Sequence, residues 1–438
     1  DNSDTTEEPQ NTEEPQDPEV LHEWSFQLDT TPPEIEISSP EGAVVAGAAI
    51  TITGTTEPGS EVTVEGSTAT ADDSGNFEVE IAGAPQGTLT IVATDAAGNS
   101  SDGDLTLVTV PSRVVLDEYR AAHLTGCAWG HEGLRGEVLQ MIDEGRLNAV
   151  QLDLKDEDGI VNYASEVELA QQLRPQMSAG CTFDLEEAVA TLHERGIPII
   201  ARIVAFRDPT LVGWAWENGH RHYAVQTPDG ERLPIYNGGM ANFAEEDVMA
   251  YNIDLALEAA AAGVDHILWD YIRRPEGNLD NIVFEGLEGT VEDTIVEFTR
   301  RADEALQPYG VKHGASVYGI AATRPGQIGQ DIPALSDHLD YVAPMLYPDH
   351  WGAGEFGLAN PNASPYEVIY ESMLTFEEAT DGRRAEVIPW LGDFGSRDMD
   401  AGAYIRAQVQ ASFDVGVRDF LLWNAGSRYT TDAYDPID

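Results

Sequence analysis

The segment His266-Ile267-Leu268-Trp269-Asp270-Tyr271-Ile272-Arg273-Arg274-Pro275 carries the clearest chemical signal in the chain. An apolar strand runs into an acid, two arginines and a proline, which places Asp270 where the strand ends. A carboxylate is expensive to bury there unless it is paired or reacts. Other apolar runs end in a similar way. In Gln151-Leu152-Asp153-Leu154-Lys155-Asp156, alternation sets Gln151, Asp153 and Lys155 on one strand face, with Leu152 and Leu154 on the other. Arg202 and Arg207 mark a third run. Met345 and Tyr347, then Asp349, His350 and Trp351, mark another; Trp390 with Asp393, and Trp423 with Asn424, mark the last two. Two opposed carboxylates are the minimum apparatus for cleaving a glycosidic bond, one as acid and one as nucleophile or base. Indole and phenol rings match the apolar C–H faces of sugars. Nearby Arg and Lys hold one carboxylate ionised, while a drier site raises the other.

On this reading Asp270, Asp393 and Asp153 are the catalytic candidates. Lys155, Arg202, Arg273, Tyr347, Asp349, Trp390, Trp423 and Asn424 are the substrate-binding candidates. Each has a plain structural alternative. Asp270 could only pair with Arg273 or Arg202, and Asp153 with Lys155. Asp349 could cap the turn after Pro348, Tyr347 could be core, and Trp129, Trp351, Trp390 and Trp423 are as readily core as platform. No cofactor is implied. His131 and His350 lack a paired-ligand spacing such as HExxH and no CxxC pair exists, so no metal site is expected. The His-rich cluster or serine elbow that an esterase would need is not found either.

The elements that must position these residues alternate strand and helix from about residue 120. Strands are expected at His123–Trp129, Ala149–Lys155, Pro198–Phe206, His266–Ile272, His313–Tyr318, Tyr341–Tyr347, Ala385–Asp393 and Asp419–Asn424. Helices are expected at Leu134–Glu144, Leu185–Arg195, Glu246–Ala262, Val291–Gln307, Ile332–Asp337, Tyr366–Thr380 and Ala401–Val415. Asp184 is placed to cap the second, and Gly196 and Gly263 to end helices just before strands. Eight such units fit a (β/α)8 barrel, whose active site lies at the C-terminal strand ends. The rival, a doubly wound open sheet, wants a GxGxxG turn after its first strand, and Gly126-Cys127-Ala128-Trp129-Gly130 is not one.

Upstream, residues 1–30 are dominated by Thr, Glu, Pro, Gln, Asn and Asp with few apolar residues, and the repeat Thr-Glu-Glu-Pro-Gln occurs twice. We expect a disordered acidic spacer, either a tether to the cell surface or a terminus without a role. Residues 31–112 alternate in short strands, such as Glu61-Val62-Thr63-Val64 and Phe77-Glu78-Val79-Glu80-Ile81, separated by turns such as Glu57-Pro58-Gly59-Ser60. That spacing predicts a small β-sandwich. The runs "PPEIEISSPEG", "ITGTTEPGSEVTV", "ADDSGNFEVEI" and "IVATDAAGNSS" resemble the bacterial immunoglobulin-like modules appended to secreted carbohydrate-active enzymes. The resemblance implies a spacer module, or less commonly a sugar-binding one.

The 438 residues carry 78 acids against 23 bases, a net charge of −55, and only two of the bases, Lys155 and Lys312, are lysines. Such a surface repels itself at low ionic strength. At ~1 M salt the Debye length falls to about 3 Å, so adaptation to high salt is expected, with a merely acidic secreted protein as the alternative. Nucleic-acid binding is disfavoured, because it needs clustered Lys and Arg. No apolar run approaches the ~20 residues of a membrane span. Cys127 and Cys181 allow at most one internal disulfide; the first follows strand one and the second lies in the long loop after strand two. The acidic start at Asp1 reads as the product of a removed export signal.

Six further runs, "NAVQLDLKDEDGIVNY", "GIPIIARIVAFRDP", "HILWDYIRRP", "YVAPMLYPDHW", "VIPWLGDF" and "FLLWNAGSRYT", resemble in order the glycosyl hydrolase domain of bacterial surface proteins long carried as a domain of unknown function. The resemblance implies a TIM barrel distantly similar to α-amylase and chitinase-like hydrolases, with Asp270 as the best catalytic candidate and Asp153 and Tyr347 matching other polar strand ends. Arg274 and Gly392 depart from the family pattern, the second at the strand-seven subsite. The sequence thus predicts a barrel over 113–438, preceded by the sandwich and the spacer. The function expected is an exported or cell-surface glycoside hydrolase acting on a polysaccharide. The competing expectation is a non-catalytic polysaccharide-binding or wall-associated barrel.

Overall fold

The computed structural model describes residues 24–25, 28–40, 42–173, 180–395 and 399–437. The expected spacer falls largely outside the described residues. The described residues form two compact units, one within residues 1–38, 53–79 and 90–104, the other within residues 39–52, 80–89 and 105–438.

The N-terminal region is all-β. One sheet orders Ile35–Ser39, Ile50–Thr56 and Asn76–Ile81; the other orders Ser67–Thr70, Glu61–Val64, Gly87–Thr94 and Ser100–Leu107. Strict alternation along Asn76–Ile81 buries Phe77, Val79 and Ile81 and exposes the residues between them. The turn before that strand is an Asx turn: the Asp72 carboxylate accepts from the N–H groups of Ser74 (2.8 Å) and Asn76 (2.9 Å).

The larger unit contains a closed barrel of eight parallel strand positions. These are β1 (Arg120–Leu124), β2 (Ala149–Lys155), β3 (Ile199–Val204), β4 (His266–Asp270), β5 (Lys312–Tyr318), β6 (Tyr341–Met345), β7 (Glu386–Val387 and Trp390–Gly392) and β8 (Phe420–Trp423). Each pairs with its neighbours, and β8 returns to β1 through Arg120 opposite Phe420. β7 comes in two pieces because Pro389 has no N–H to give the ladder. The first piece pairs with β6, whereas the second pairs mainly with β8.

Alternation divides each strand between two cores. Leu152, Ile203 and Trp269 face the helices. Ala121, Ala149, Ile200, Leu268, Tyr341, Ala343, Ile388 and Leu421 fill the barrel interior. Beyond that apolar layer, towards the C-terminal ends, the interior positions become His123, Asp153, Arg202 and Asp270, all buried.

The helices follow local signals. Asp184 accepts from the Glu187 N–H (2.9 Å) at the head of Leu185–His193, as its position foretold. Glu246–Ala262 ends at Gly263, whose φ of 98° suits a residue without Cβ. Among the described residues no helix is long and apolar enough to cross a membrane.

Two local expectations are corrected. β1 begins at Arg120, three residues before the predicted start, and Gly126–Gly130 is a short helix rather than strand. Thr125 caps it by accepting from the Ala128 N–H (3.1 Å). Cys127 is bonded to Cys181. Gly130 lies so close that a Cβ would meet the Gly180 carbonyl oxygen at 1.9 Å. The second correction concerns Lys155. The register of β2 against β3 slips between Asp153 and Lys155, so alternation does not carry the lysine into the barrel. It is buried among the helices instead, on Asp208 (2.7 Å) and Asn252 (2.9 Å).

Candidate active site

The site is organised by one guanidinium. Arg202 stands beside Asp153 in the β2–β3 register, and the next inward position of β3, Val204, lies opposite Asp270 of β4. Its Nη1 donates to Asp153 Oδ1 (2.8 Å), and its Nε and Nη2 both donate to Asp270 Oδ2 (3.0 and 2.6 Å). Nη2 also donates to Glu157 Oε1 (2.5 Å), from the loop just past β2. Trp390 of β7 sits on the guanidinium, 5.6 Å from its ring centre. Behind Asp153, His123 of β1 places Nε2 at 2.9 Å from the same Oδ1. Buried charge is tolerable only in such a paired, hydrogen-bonded arrangement.

Glu157 and Asp270 therefore meet on a single nitrogen. Their contacting oxygens are held at 2.5 and 2.6 Å from Nη2, so they are no farther apart than those two distances together. A bound of that size is too short for the water that an inverting pair holds between carboxyl groups roughly 6.5–9.5 Å apart.

The electrostatics differ from acid to acid. Burial pushes Asp270 above the ordinary carboxylate range; the charge and hydrogen bonds of Arg202 oppose this without cancelling it. For Asp153 burial acts the same way, but His123 and Arg202 outweigh it and hold the group low. Glu157 is likewise desolvated, yet Arg202 prevails and lowers it. Arg202 loses to burial and gains more from Glu157, Asp153 and Asp270, so it stays charged well beyond its ordinary range. Asp270 has one more donor. Tyr271 adopts a left-handed backbone (φ 53°) and turns its own N–H onto Asp270 Oδ1 at 2.7 Å. A non-glycine residue in that region costs about 1–3 kcal/mol, and here the strained residue directly follows the acid.

Over this cluster opens a cavity of about 390 Å³. Its lining includes Glu157, Arg202 and Asp270 at the charged end and is otherwise mostly aromatic. On one side Tyr347 stacks on Trp423, with centroids 5.5 Å apart and planes at 26°. On the other, Arg273 is caged by Tyr271 (4.7 Å), Tyr318 (4.6 Å) and Tyr236 (5.6 Å) and paired with Glu276 (3.2 Å).

Of the residues expected from sequence, Asp270, Arg202, Arg273, Tyr347, Trp390 and Trp423 line this cavity. The others stand elsewhere. Asp153 is fully buried below it. Lys155 lies in the helix layer. Asp393 spends both oxygens on the rim segment after β8, accepting from the Thr430 N–H (2.7 Å), Thr430 Oγ1 (2.8 Å) and Tyr434 Oη (2.8 Å). Asn424 caps the same segment by accepting from the Gly426 N–H (2.8 Å). Asp349 is exposed in a short 3-10 turn, Pro348–His350. Glu157 was not foreseen. It lies in an unbroken acidic stretch, Asp156-Glu157-Asp158, past the end of the alternating pattern, where periodicity says nothing about direction.

Residues 121–429 match the model of a family described as "Putative glycosyl hydrolase domain", and residues 38–111 match that of a "Bacterial Ig domain". Three solved structures are among the similar ones. A hypothetical protein from Ruminiclostridium thermocellum is 27% identical over 44% of this chain and 96% of its own, with a TM-score of 0.38. The PgaB (BpsB) glycoside hydrolase domain from Bordetella bronchiseptica is 14% identical over 71% of this chain and 95% of its own, with a TM-score of 0.49. The endo-β-1,4-mannanase from Thermotoga petrophila is 13% identical over 70% of this chain and 67% of its own, with a TM-score of 0.45. No curated protein matches the chain.

Proposed function

The chain belongs to the family described as "Putative glycosyl hydrolase domain", and from that membership we propose that it is a retaining glycoside hydrolase working with Asp270 and Glu157. The observation that carries the assignment is the placing of both carboxylates on Arg202 Nη2 at the charged end of an aromatic cavity. Asp270 is surrounded by donors, two from Arg202 and one from Tyr271, which suits a carboxylate that attacks. Glu157 is about one third exposed (31%) and bonds Arg202 through Oε1, which leaves Oε2 for a leaving group. Arg202 holds Glu157 ionised in the free protein; a sugar filling the cavity would drive water from Glu157 and raise it, so that Glu157 gives its proton to the departing glycosidic oxygen while Asp270 attacks the anomeric carbon. Glu157 would then take a proton from water as that water displaces Asp270 from the same carbon. Tyr347, Trp423 and Trp351 would offer faces to the sugar rings.

Glu157→Gln is expected to slow hydrolysis of a natural glycan by about 10²–10⁴-fold. An aryl glycoside whose leaving group needs no proton should suffer much less in the first chemical step. Equal losses on both substrates would remove Glu157 from the acid role.

A second reading keeps one supporting observation. Asp270, Asp153 and Glu157 are all bound to one arginine, as expected of a charge cluster in a non-catalytic polysaccharide binder. Reducing-end release from a panel of polysaccharides separates the two: a binder retains glycan without shortening it.

The enzyme is further proposed to be exported and adapted to high salt. The net charge of −55 supports this, because self-repulsion is screened as the Debye length falls from about 10 Å at 0.1 M to about 3 Å at 1 M salt. The melting temperature should rise by several degrees between dilute buffer and molar KCl; a constant or falling value would refute the adaptation.

A further inference from the structure

His123 takes no part in the chemistry above, yet it is buried in the barrel interior directly behind Asp153. Its surroundings come from several elements. β2 presents Asp153, β7 presents the Trp390 ring at 6.3 Å, and Tyr429 donates its hydroxyl to the His123 carbonyl oxygen. Beyond Asp153 stand the Arg202 guanidinium and, on that, Glu157 and Asp270.

Asp153 is held in an uneven way. Both of its strong donors, His123 Nε2 (2.9 Å) and Arg202 Nη1 (2.8 Å), converge on Oδ1. Oδ2 has no hydrogen-bond partner in the protein. The two donors thus share the stabilisation of one buried carboxylate. Whatever His123 does not supply must come from Arg202, whose opposite nitrogens hold the two acids in the cavity.

We propose that His123 is a positioning residue that acts through Asp153 to fix how Arg202 divides itself between the buried acid and the working pair. Without the imidazole, Asp153 draws the guanidinium towards the barrel interior, and the contacts with Asp270 and Glu157 lengthen. Small displacements of reacting groups cost rate: a shift of about 1 Å is worth on the order of 10²-fold. The effect falls on kcat, because His123 does not line the cavity and sugar binding is left to the aromatic walls.

The inference rests on Asp270 and Glu157 being the working pair, and two measurements keep it separate from that reading. The first needs no substrate. In protein labelled with ¹⁵N-arginine, the Arg202 Nε–H resonance, identified by its loss in Arg202→Lys, should move in His123→Leu. It should return towards its original position in His123→Gln, whose amide N–H reaches the place of Nε2. An unmoved resonance in His123→Leu would overturn the coupling, whether or not the protein hydrolyses any glycan. The second is kinetic. His123→Leu should lower kcat by roughly 10- to 100-fold with KM little changed, and move the acidic limb of the kcat/KM profile upward as Asp270 loses part of Arg202. His123→Gln should recover most of both. If the folded leucine variant keeps its kcat and pH profile, or if the two variants lose activity equally, the proposal fails.

Discussion

Asp270→Asn is expected to abolish turnover, by at least about 10³-fold and up to the ~10⁶-fold seen when a nucleophile is lost, while the protein remains folded. The amide keeps the size of the carboxylate and one acceptor oxygen, so Arg202 retains its partner on that oxygen while the Tyr271 N–H, which donates to the other, loses its own. Stability should change little. Burial already works against the ionised form of Asp270, so removing that charge relieves a cost as well as removing an attraction. The wild-type pH profile should carry the same signature. A nucleophile must be ionised, and an upward-shifted Asp270 places the acidic limb of activity above the usual aspartate value of about 3.9. Circular dichroism and thermal unfolding, measured beside reducing-end release, check the prediction. A folded Asp270→Asn variant with full activity would end the assignment of this acid and of the mechanism built on it.

The largest expected effect on stability is at the other end of the same contact. Arg202→Met should destabilise the protein by about 3–5 kcal/mol at neutral pH, the usual cost of leaving a buried ion pair half-empty. Here three acids lose one partner. The pH dependence has a definite sign. Asp153 and Glu157 are lowered in the folded protein, so their contribution is present above the ordinary carboxylate range and is lost as pH falls through their folded values. Asp270 is raised, contributes with the opposite sign, and is relieved by protonation. Removing Arg202 raises all three, so the deficit of Arg202→Met should shrink as the acids protonate below neutral pH. Urea unfolding of the variant and wild type at neutral and mildly acidic pH measures this directly. A deficit independent of pH would mean that packing against Trp390, and not charge, is what Arg202 contributes.

The fold was readable from the sequence wherever periodicity and caps agreed. Glu246–Ala262 has the bounds that the apolar pattern and the following Gly263 indicate, and Ala401–Val415 those of the apolar pattern. The acid ending β4 stands at the barrel mouth as the strand-end argument requires. Past several strand ends, alternation stopped being a guide to where a side chain goes. Past the register slip in β2, Lys155 turned to the helices, and Glu157 reached the cavity from a run of acids in which no position is distinguished by pattern. Asp393 and Asn424 have the right residue types at strand ends, but their partners, Thr430, Tyr434 and Gly426, lie a few residues to a few tens of residues along the chain, and spacing alone does not reveal that they close on each other. The helix at Gly126–Gly130 was missed because its small residues resemble a strand end until Thr125 is seen as a cap.

The bond between Cys127 and Cys181 closes a span of 54 residues that contains all of β2 and the loop bearing Glu157. In the chain-entropy picture a closure of that length contributes about 4 kcal/mol, and neither cysteine lines the cavity. The redox state of the surroundings therefore decides how firmly the acid-bearing loop is anchored without entering the reaction. The barrel has a reason to mature where thiols are oxidised, and a reductant should act on this protein as a mild denaturant rather than as an inhibitor.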